Sequence, residues 1–158
     1  MRILAVDFGD ARTGLALCDP LEMMASPVGV VQQKDPEATA RQVAAEAKRL
    51  EAQEIVVGYP INMNGSLGPR SQVCREFAGR LAALVDCPVR LWDERGTTVS
   101  AIGYLNATNT RGKKRKAVVD AVAATIILDS YMAWRRNHPG QEPPEPELPE
   151  EDPAGPQP

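Results

Sequence analysis

Acidic residues occupy three settings in this chain that are otherwise apolar. Arg2-Ile-Leu-Ala-Val-Asp7-Phe-Gly9 runs four apolar residues into an acid and then, one residue on, a glycine. Asp93 and Glu94 end the run Val89-Arg-Leu-Trp92, and Asp120 precedes Ala121-Val-Ala-Ala-Thr-Ile-Ile-Leu128. A carboxylate on a buried element is costly unless it is paired or ligates something. An acid at a strand exit followed by a glycine, which lets a ligand approach the backbone, suits a metal or phosphate site. The turn Gly9-Asp-Ala-Arg12-Thr13-Gly14 would add backbone N–H groups, a guanidinium and a hydroxyl beside Asp7. Each acid also has a plainer reading: Asp7 a turn former, Asp93–Glu94 a helix-start pair, Asp120 the ion-pair partner of Lys116 one turn earlier. Adjacent strand residues point to opposite faces, so only one of Asp93 and Glu94 can share Asp7's side of the sheet. Glu94 is the preferred one.

Arg111, Lys113, Lys114, Arg115 and Lys116 form the densest positive patch. Such a run can be a solvated face, but beside an acidic helix it can also grip a polyphosphate backbone. Tyr59 and Asn62 to Asn64 follow a strand, where an aromatic ring and amides could meet a base. His138 is the sole histidine and borders the C-terminal tail, which argues against histidine-based triads. Asp7-Phe8-Gly9 spells the kinase metal-binding triplet, but no glycine-rich loop and strand lysine accompany it.

These groups need a scaffold. Residues 2–8, 14–18 and 26–33 read as a three-strand meander. Asp35-Pro36 starts a helix as N-cap acid and first-position proline, running to about Gln53 with Ala40, Val43, Ala47 and Leu50 as its stripe. Residues 54–58 read as a short buried strand, followed by a turn-rich loop over 59–68. A helix over 69–86 should bury Val73, Phe77, Leu81 and Leu84, before a fifth strand at 89–93. Thr97 caps a short helix to about Asn106, 108–116 reads as a basic loop, and 117–136 as the last helix. On that helix Asp120, Ala123, Ala124, Ile127 and Leu128 share a face. The order implies a mixed α/β sheet with right-handed crossovers.

With 158 residues and 43% hydrophobic content the chain can build one domain with a real core. No apolar run approaches a membrane span, and Asp7 interrupts any signal-peptide pattern. Three cysteines without metal spacing suggest reduced thiols and a cytoplasmic setting. Six of the 21 acids lie from His138 onward with no Lys or Arg, so residues 1–137 carry 15 acids against 18 basic residues, about +3. The Pro- and Glu-rich stretch 138–158 is expected to be a disordered tail on a domain of residues 1–137.

The segments VDFGDARTG, VVGYPINMNGSLGPRSQ, DERGTT and KAVVDAVAATIILDSY resemble, in order and spacing, the YqgF/RuvX family of the ribonuclease H-like superfamily, related to the RuvC Holliday junction resolvase. The likeness covers about residues 1–136. It implies a five-stranded mixed sheet, the first three strands antiparallel, flanked by helices. It also implies an acidic triad of Asp7, Glu94 and Asp120 holding two Mg²⁺ or Mn²⁺ ions. Arg12 and Thr13 are then expected at the scissile phosphate, and Asn62, Arg111 and Lys113 to Lys116 along the nucleic acid. Gly96 departs from the leucine that members commonly carry. The expected activity is phosphodiester hydrolysis: maturation of the 5′ end of pre-16S ribosomal RNA, or, as the alternative, resolution of four-way DNA junctions. Structured RNA or branched DNA is the expected partner, with the protein a monomer or a homodimer and no membrane involved. A binding module without catalysis is a further alternative, and so is a phosphate-binding fold of the sugar-kinase type, for which one domain is too little.

Overall fold

The computed structural model describes residues 1–60, 67–93 and 112–146, with side chains in the last helix described from residue 121. Five strands, β1 (Ile3–Asp7), β2 (Arg12–Cys18), β3 (Ala25–Gln32), β4 (Glu54–Tyr59) and β5 (Val89–Asp93), form one sheet in the order β3-β2-β1-β4-β5. β1–β2 and β2–β3 are antiparallel, whereas β1–β4 and β4–β5 are parallel. The parallel pairs follow from the crossover helices α1 (Pro36–Arg49) and α2 (Pro69–Ala82), because parallel neighbours need a long connection. A 26-residue helix, α3 (Gly112–Asn137), packs across β1, β2 and β3.

Central β1 is buried on both faces, which is why its sequence is continuous rather than alternating. Leu4, Val6 and Phe8 join Leu15, Ile55, Val57 and Tyr59 under α1 and α2. Ile3, Ala5, Ala16 and Val56 pack instead with Ala124, Ile127, Leu128 and Tyr131 of α3. The sheet is thus the middle of three layers, and strand alternation assigns each residue to the α1/α2 side or the α3 side.

α1 starts as its sequence requires: Asp35 accepts a hydrogen bond from the Glu37 N–H at 3.2 Å, with Pro36 in the first turn. Four expectations are corrected. β2 begins at Arg12, so Arg12 and Thr13 lie in a strand and not in a turn. α1 and α2 stop at Arg49 and Ala82, short of Gln53 and Asp86. α2 buries Cys74, Phe77, Ala78 and Leu81, while Val73 and Leu84 are exposed. α3 begins at Gly112, so Lys113 to Lys116 occupy its first turns and not a loop. The expected helix over 97–106 lies outside the described residues.

The sheet's other end is tied by a buried polar group. Glu54 accepts hydrogen bonds from the Tyr131 hydroxyl at 2.9 Å and from the Arg90 Nε. Beyond α3, residues 141–146 have no regular structure, and Pro143 to Pro146 line a groove between α2 and β5 with Arg75 and Arg90. Residues 147–158 lie outside the described part. Cys18, Cys74 and Cys87 are free thiols.

Candidate active site

Asp7 is the last residue of β1, on the α3 side of the sheet with Ile3 and Ala5. Its partner across the β1–β2 ladder is Gly14. On the other neighbouring strand, Gly58 lies two residues after Val56 and so on the same side. Asp7 is therefore flanked by a glycine on each adjacent strand, and neither of these neighbours carries a side chain that would crowd its carboxylate. Arg12, two residues from Gly14, also falls on the α3 side.

Thr13 falls on the opposite side, is fully buried, and its hydroxyl accepts the Gly9 N–H at 3.4 Å. It holds the turn after Asp7 from within. Gly9 is required there by sterics: a Cβ would meet the Arg12 carbonyl oxygen at 2.1 Å.

Along β5, Val89 and Leu91 pack on the α1/α2 side and Trp92 on the α3 side, where its indole N–H donates to Ser130 at 3.1 Å. Asp93 pairs with Tyr59 and shares the side of Val89 and Leu91, opposite Asp7. Glu94, Asn62 and Arg111 lie outside the described residues. On α3 the buried stripe is Ala124, Ile127, Leu128 and Tyr131, and the side chain of Asp120 lies outside the described residues. Among the described residues no group of three His, Cys, Asp or Glu gathers to hold a metal; of the three expected ligands, Asp7 is the one whose side chain is described.

The donor chemistry fits a hard divalent cation. Asp7 offers oxygen only, at the open end of a rigid strand between two glycines, with the one histidine far along the chain at the end of α3.

Sequence reasoning misses Arg70. In the first turn of α2, it donates to the Phe8 carbonyl and, at 2.6 Å, to the Asp10 carboxylate. Its guanidinium lies 5.2 Å from the centroid of the Phe8 ring. A signal exists: a cation in a helix's first turn opposes the helix dipole, so an arginine there needs another partner.

This arrangement, a β3-β2-β1-β4-β5 mixed sheet with an acid at the exit of its central strand, defines a ribonuclease H-like nuclease fold. Solved structures agree on the fold. The Thermus thermophilus RuvC in complex with a Holliday junction substrate superposes with a TM-score of 0.56 at 13% identity, over 87% of this chain and 97% of that one. The fowlpox virus Holliday junction resolvase gives 0.52 at 16% identity, over 85% and 99%. The family model "RuvX: Holliday junction resolvase" matches residues 1–134, and the chain belongs to that family, whose members hydrolyse phosphodiester bonds. A protein of Halothermothrix orenii named "Putative pre-16S rRNA nuclease" is 43% identical over 135 residues, 85% of this chain and 96% of its own length. One of the same name from Pelotomaculum thermopropionicum is 40% identical over 154 residues, 94% and 100%.

Proposed function

We propose that the protein is a metal-dependent endonuclease that trims the 5′ end of precursor 16S ribosomal RNA, with Asp7, Glu94 and Asp120 as its metal-holding acids. The observation carrying this reading is the place of Asp7, at the exit of the central strand, between Gly14 and Gly58, on the side that α3 covers. Glu94 directly follows the last residue of β5, Asp120 precedes Ala124 by four residues in α3, and the family resemblance supports both as partners of Asp7. Bound there, a pair of Mg²⁺ or Mn²⁺ ions would supply Lewis acidity at the scissile phosphate and make water acidic enough to attack near neutral pH. The chain's own part is to hold the three carboxylates and place the substrate.

Arg12, on Asp7's side, meets a phosphate next to the cut. Thr13 acts through the turn it closes. Asn62, Arg111 and Lys113 to Lys116 follow the flanking backbone, the lysines from the N-terminal turns of α3, where helix dipole and side-chain charge both attract an anion. The free thiols suit the reducing cytoplasm. The RNA substrate rests on relatives that match this chain over nearly their whole length.

The test is cleavage of a labelled pre-16S 5′-leader RNA and of a four-way DNA junction, each with Mg²⁺, Mn²⁺ or EDTA. Wild type is compared with Asp7→Asn. Metal-dependent cutting of the RNA, reduced more than about a hundredfold in Asp7→Asn, is expected; changes to outer-shell residues reach that loss only at their upper end. Cutting of the junction alone would replace the substrate and call for a dimer, since resolution needs two symmetric cuts. Binding without cutting of either would make the protein a nucleic-acid-binding module.

A further inference from the structure

We infer that Arg70 is a positioning residue for the Asp7 carboxylate, clasping the turn after β1 from α2; this rests on the nuclease reading of Asp7. The first turn of α2 touches the ends of two adjacent parallel strands. Ser71, buried, donates its hydroxyl to the Pro60 carbonyl just past β4, and its N–H bonds the Gly68 carbonyl. Arg70, one residue earlier, reaches the Phe8 carbonyl, the first backbone acceptor after Asp7. Two consecutive residues of one helix thus fix the exits of β1 and β4 relative to each other.

The Phe8 side chain is held on two sides. Its ring stacks on Phe77 of α2 at 4.1 Å between centroids and 17° between planes, and the Arg70 guanidinium lies over it. Phe8 is 6% exposed. Residue 8 therefore has its ring and its carbonyl both engaged by α2. Residue 9 is closed against Arg12 and bonded to Thr13. Asp7, the residue before, inherits that fixed backbone, and its carboxylate direction is set by the peptide that Arg70 holds. The Asp10 carboxylate, 89% exposed, balances the guanidinium charge on the outside. Arg70 does not face the carboxylate itself: Phe8 and Asp7 lie on opposite sides of the sheet, so the arginine acts through the backbone.

Outer residues that orient a metal ligand change affinity by roughly 10–100-fold when removed. The experiment measures Mn²⁺ binding to the full chain by calorimetry without nucleic acid, alongside the metal dependence and the KM of RNA cleavage. Arg70→Ala should weaken Mn²⁺ at least tenfold and raise the metal concentration for half-maximal cleavage equally, with KM for RNA within threefold of wild type. Arg70→Lys keeps one donor for the Phe8 carbonyl and should recover part of the loss. Asp10→Asn, which leaves that bond in place, should bind Mn²⁺ within threefold of wild type.

Unchanged Mn²⁺ affinity in Arg70→Ala, when Asp7→Asn has lost it, would overturn the clasp and leave the nuclease reading standing. A raised KM with unchanged metal dependence would also overturn it, making Arg70 a substrate contact. If wild type neither binds Mn²⁺ nor cuts, the nuclease reading fails and the clasp with it. Circular dichroism checks folding. Should Arg70→Ala not fold, Arg70→Lys decides: intermediate affinity supports the clasp, and wild-type affinity overturns it.

Discussion

Asp93 shares a rung of the β4–β5 ladder with Tyr59, on the α1/α2 side of the sheet, whereas Asp7 faces α3. Asp93 is thereby set apart from the proposed metal-holding acids, of which its sequence neighbour Glu94 is one. Asp93→Asn should retain metal-dependent cleavage within about tenfold, while Glu94→Gln should lose it as completely as Asp7→Asn does. Rates for the three variants across a Mg²⁺ titration decide. Equal loss in Asp93→Asn and Glu94→Gln would return both acids to the site.

Gly9 and Gly79 make opposite predictions for the same change. A Cβ at Gly9 meets the Arg12 carbonyl oxygen at 2.1 Å, a backbone atom that cannot swing aside. Gly9→Ala should cost about 1–3 kcal/mol, as overpacking does, and reduce activity by shifting the turn beside Asp7. Gly79 lies inside α2, and a methyl group added to it would meet nothing within 4 Å. Gly79→Ala should therefore stabilise by about 0.5–1 kcal/mol with activity unchanged. Urea unfolding of both variants checks the signs.

Glu54 is 2% exposed, yet it is the meeting point of three elements: its own strand, Arg90 on β5 and Tyr131 on α3. Burial first, then the Glu54 charge, pushes the Tyr131 hydroxyl above its ordinary 10, so it stays a neutral donor. Tyr131→Phe should cost about 1.5–3 kcal/mol, the range for a hydrogen bond to a charged group. Glu54→Gln should cost about 3 kcal/mol or more, because it uncouples a buried pair. The double variant should cost less than the sum, since both act on one network. Thermal or urea unfolding of the two single variants and the double variant measures all three costs.

The parts of this architecture that local chemistry decides are readable in the chain. β1 announces itself as an apolar run stopped by Asp7, and α1 by Asp35-Pro36 with a matching Ala40, Val43, Ala47 stripe. In α2, Phe77 and Leu81 are buried as the sequence reads, whereas Cys74 and Ala78 are buried in place of Val73 and Leu84, because Val73 looks more apolar than Cys74 but points outward. The start of α3 is hidden by its charge: four basic residues in succession carry no apolar period and oppose the helix dipole, so they resemble a loop. Arg12 and Thr13 look like a turn because their pairing partners, Gln32 and Val31, lie far along the chain. Arg70 and Phe8 are 62 residues apart, a contact no local pattern encodes. Asp7 is marked by its setting, while its glycine flanks become visible only once β2 and β4 are paired beside it.

Acid should unfasten the β2–β3 hairpin from α3. Glu22, held at φ 55°, bonds the Arg135 guanidinium at 2.6 Å and the Met1 ammonium at 3.1 Å. The Arg135 hydrogen bond, outweighing the cost of burial, lowers the Glu22 carboxyl below its ordinary 4.5. A depressed folded value means that the unfolded chain binds the proton first. The stabilisation is therefore complete above 4.5 and is lost as pH falls through the lower folded value. Asp19, accepting three backbone N–H groups in the same hairpin, is lowered too and adds in the same direction. The urea midpoint of wild type should fall on acidification through this range. Glu22→Gln should start lower and fall less steeply, and parallel curves would refute the assignment.

The basic N-terminus of α3 should show a trade between stability and binding. Gly112-Lys-Lys-Arg-Lys places cations, and no acid, in the first turn, where the dipole favours anions by about 0.3–1 kcal/mol per charge. That is an unfavourable choice for the free protein, and a bound phosphate backbone would offset it. Lys113→Glu should therefore raise the melting temperature of the free protein while weakening RNA binding. Its salt dependence should also change: the slope of log K against log salt should shrink by about one for each phosphate that the variant no longer neutralises. Weaker binding with an unaltered slope would mean that Lys113 touches no phosphate, and a lower melting temperature would mean that its charge already has an anionic partner within the protein.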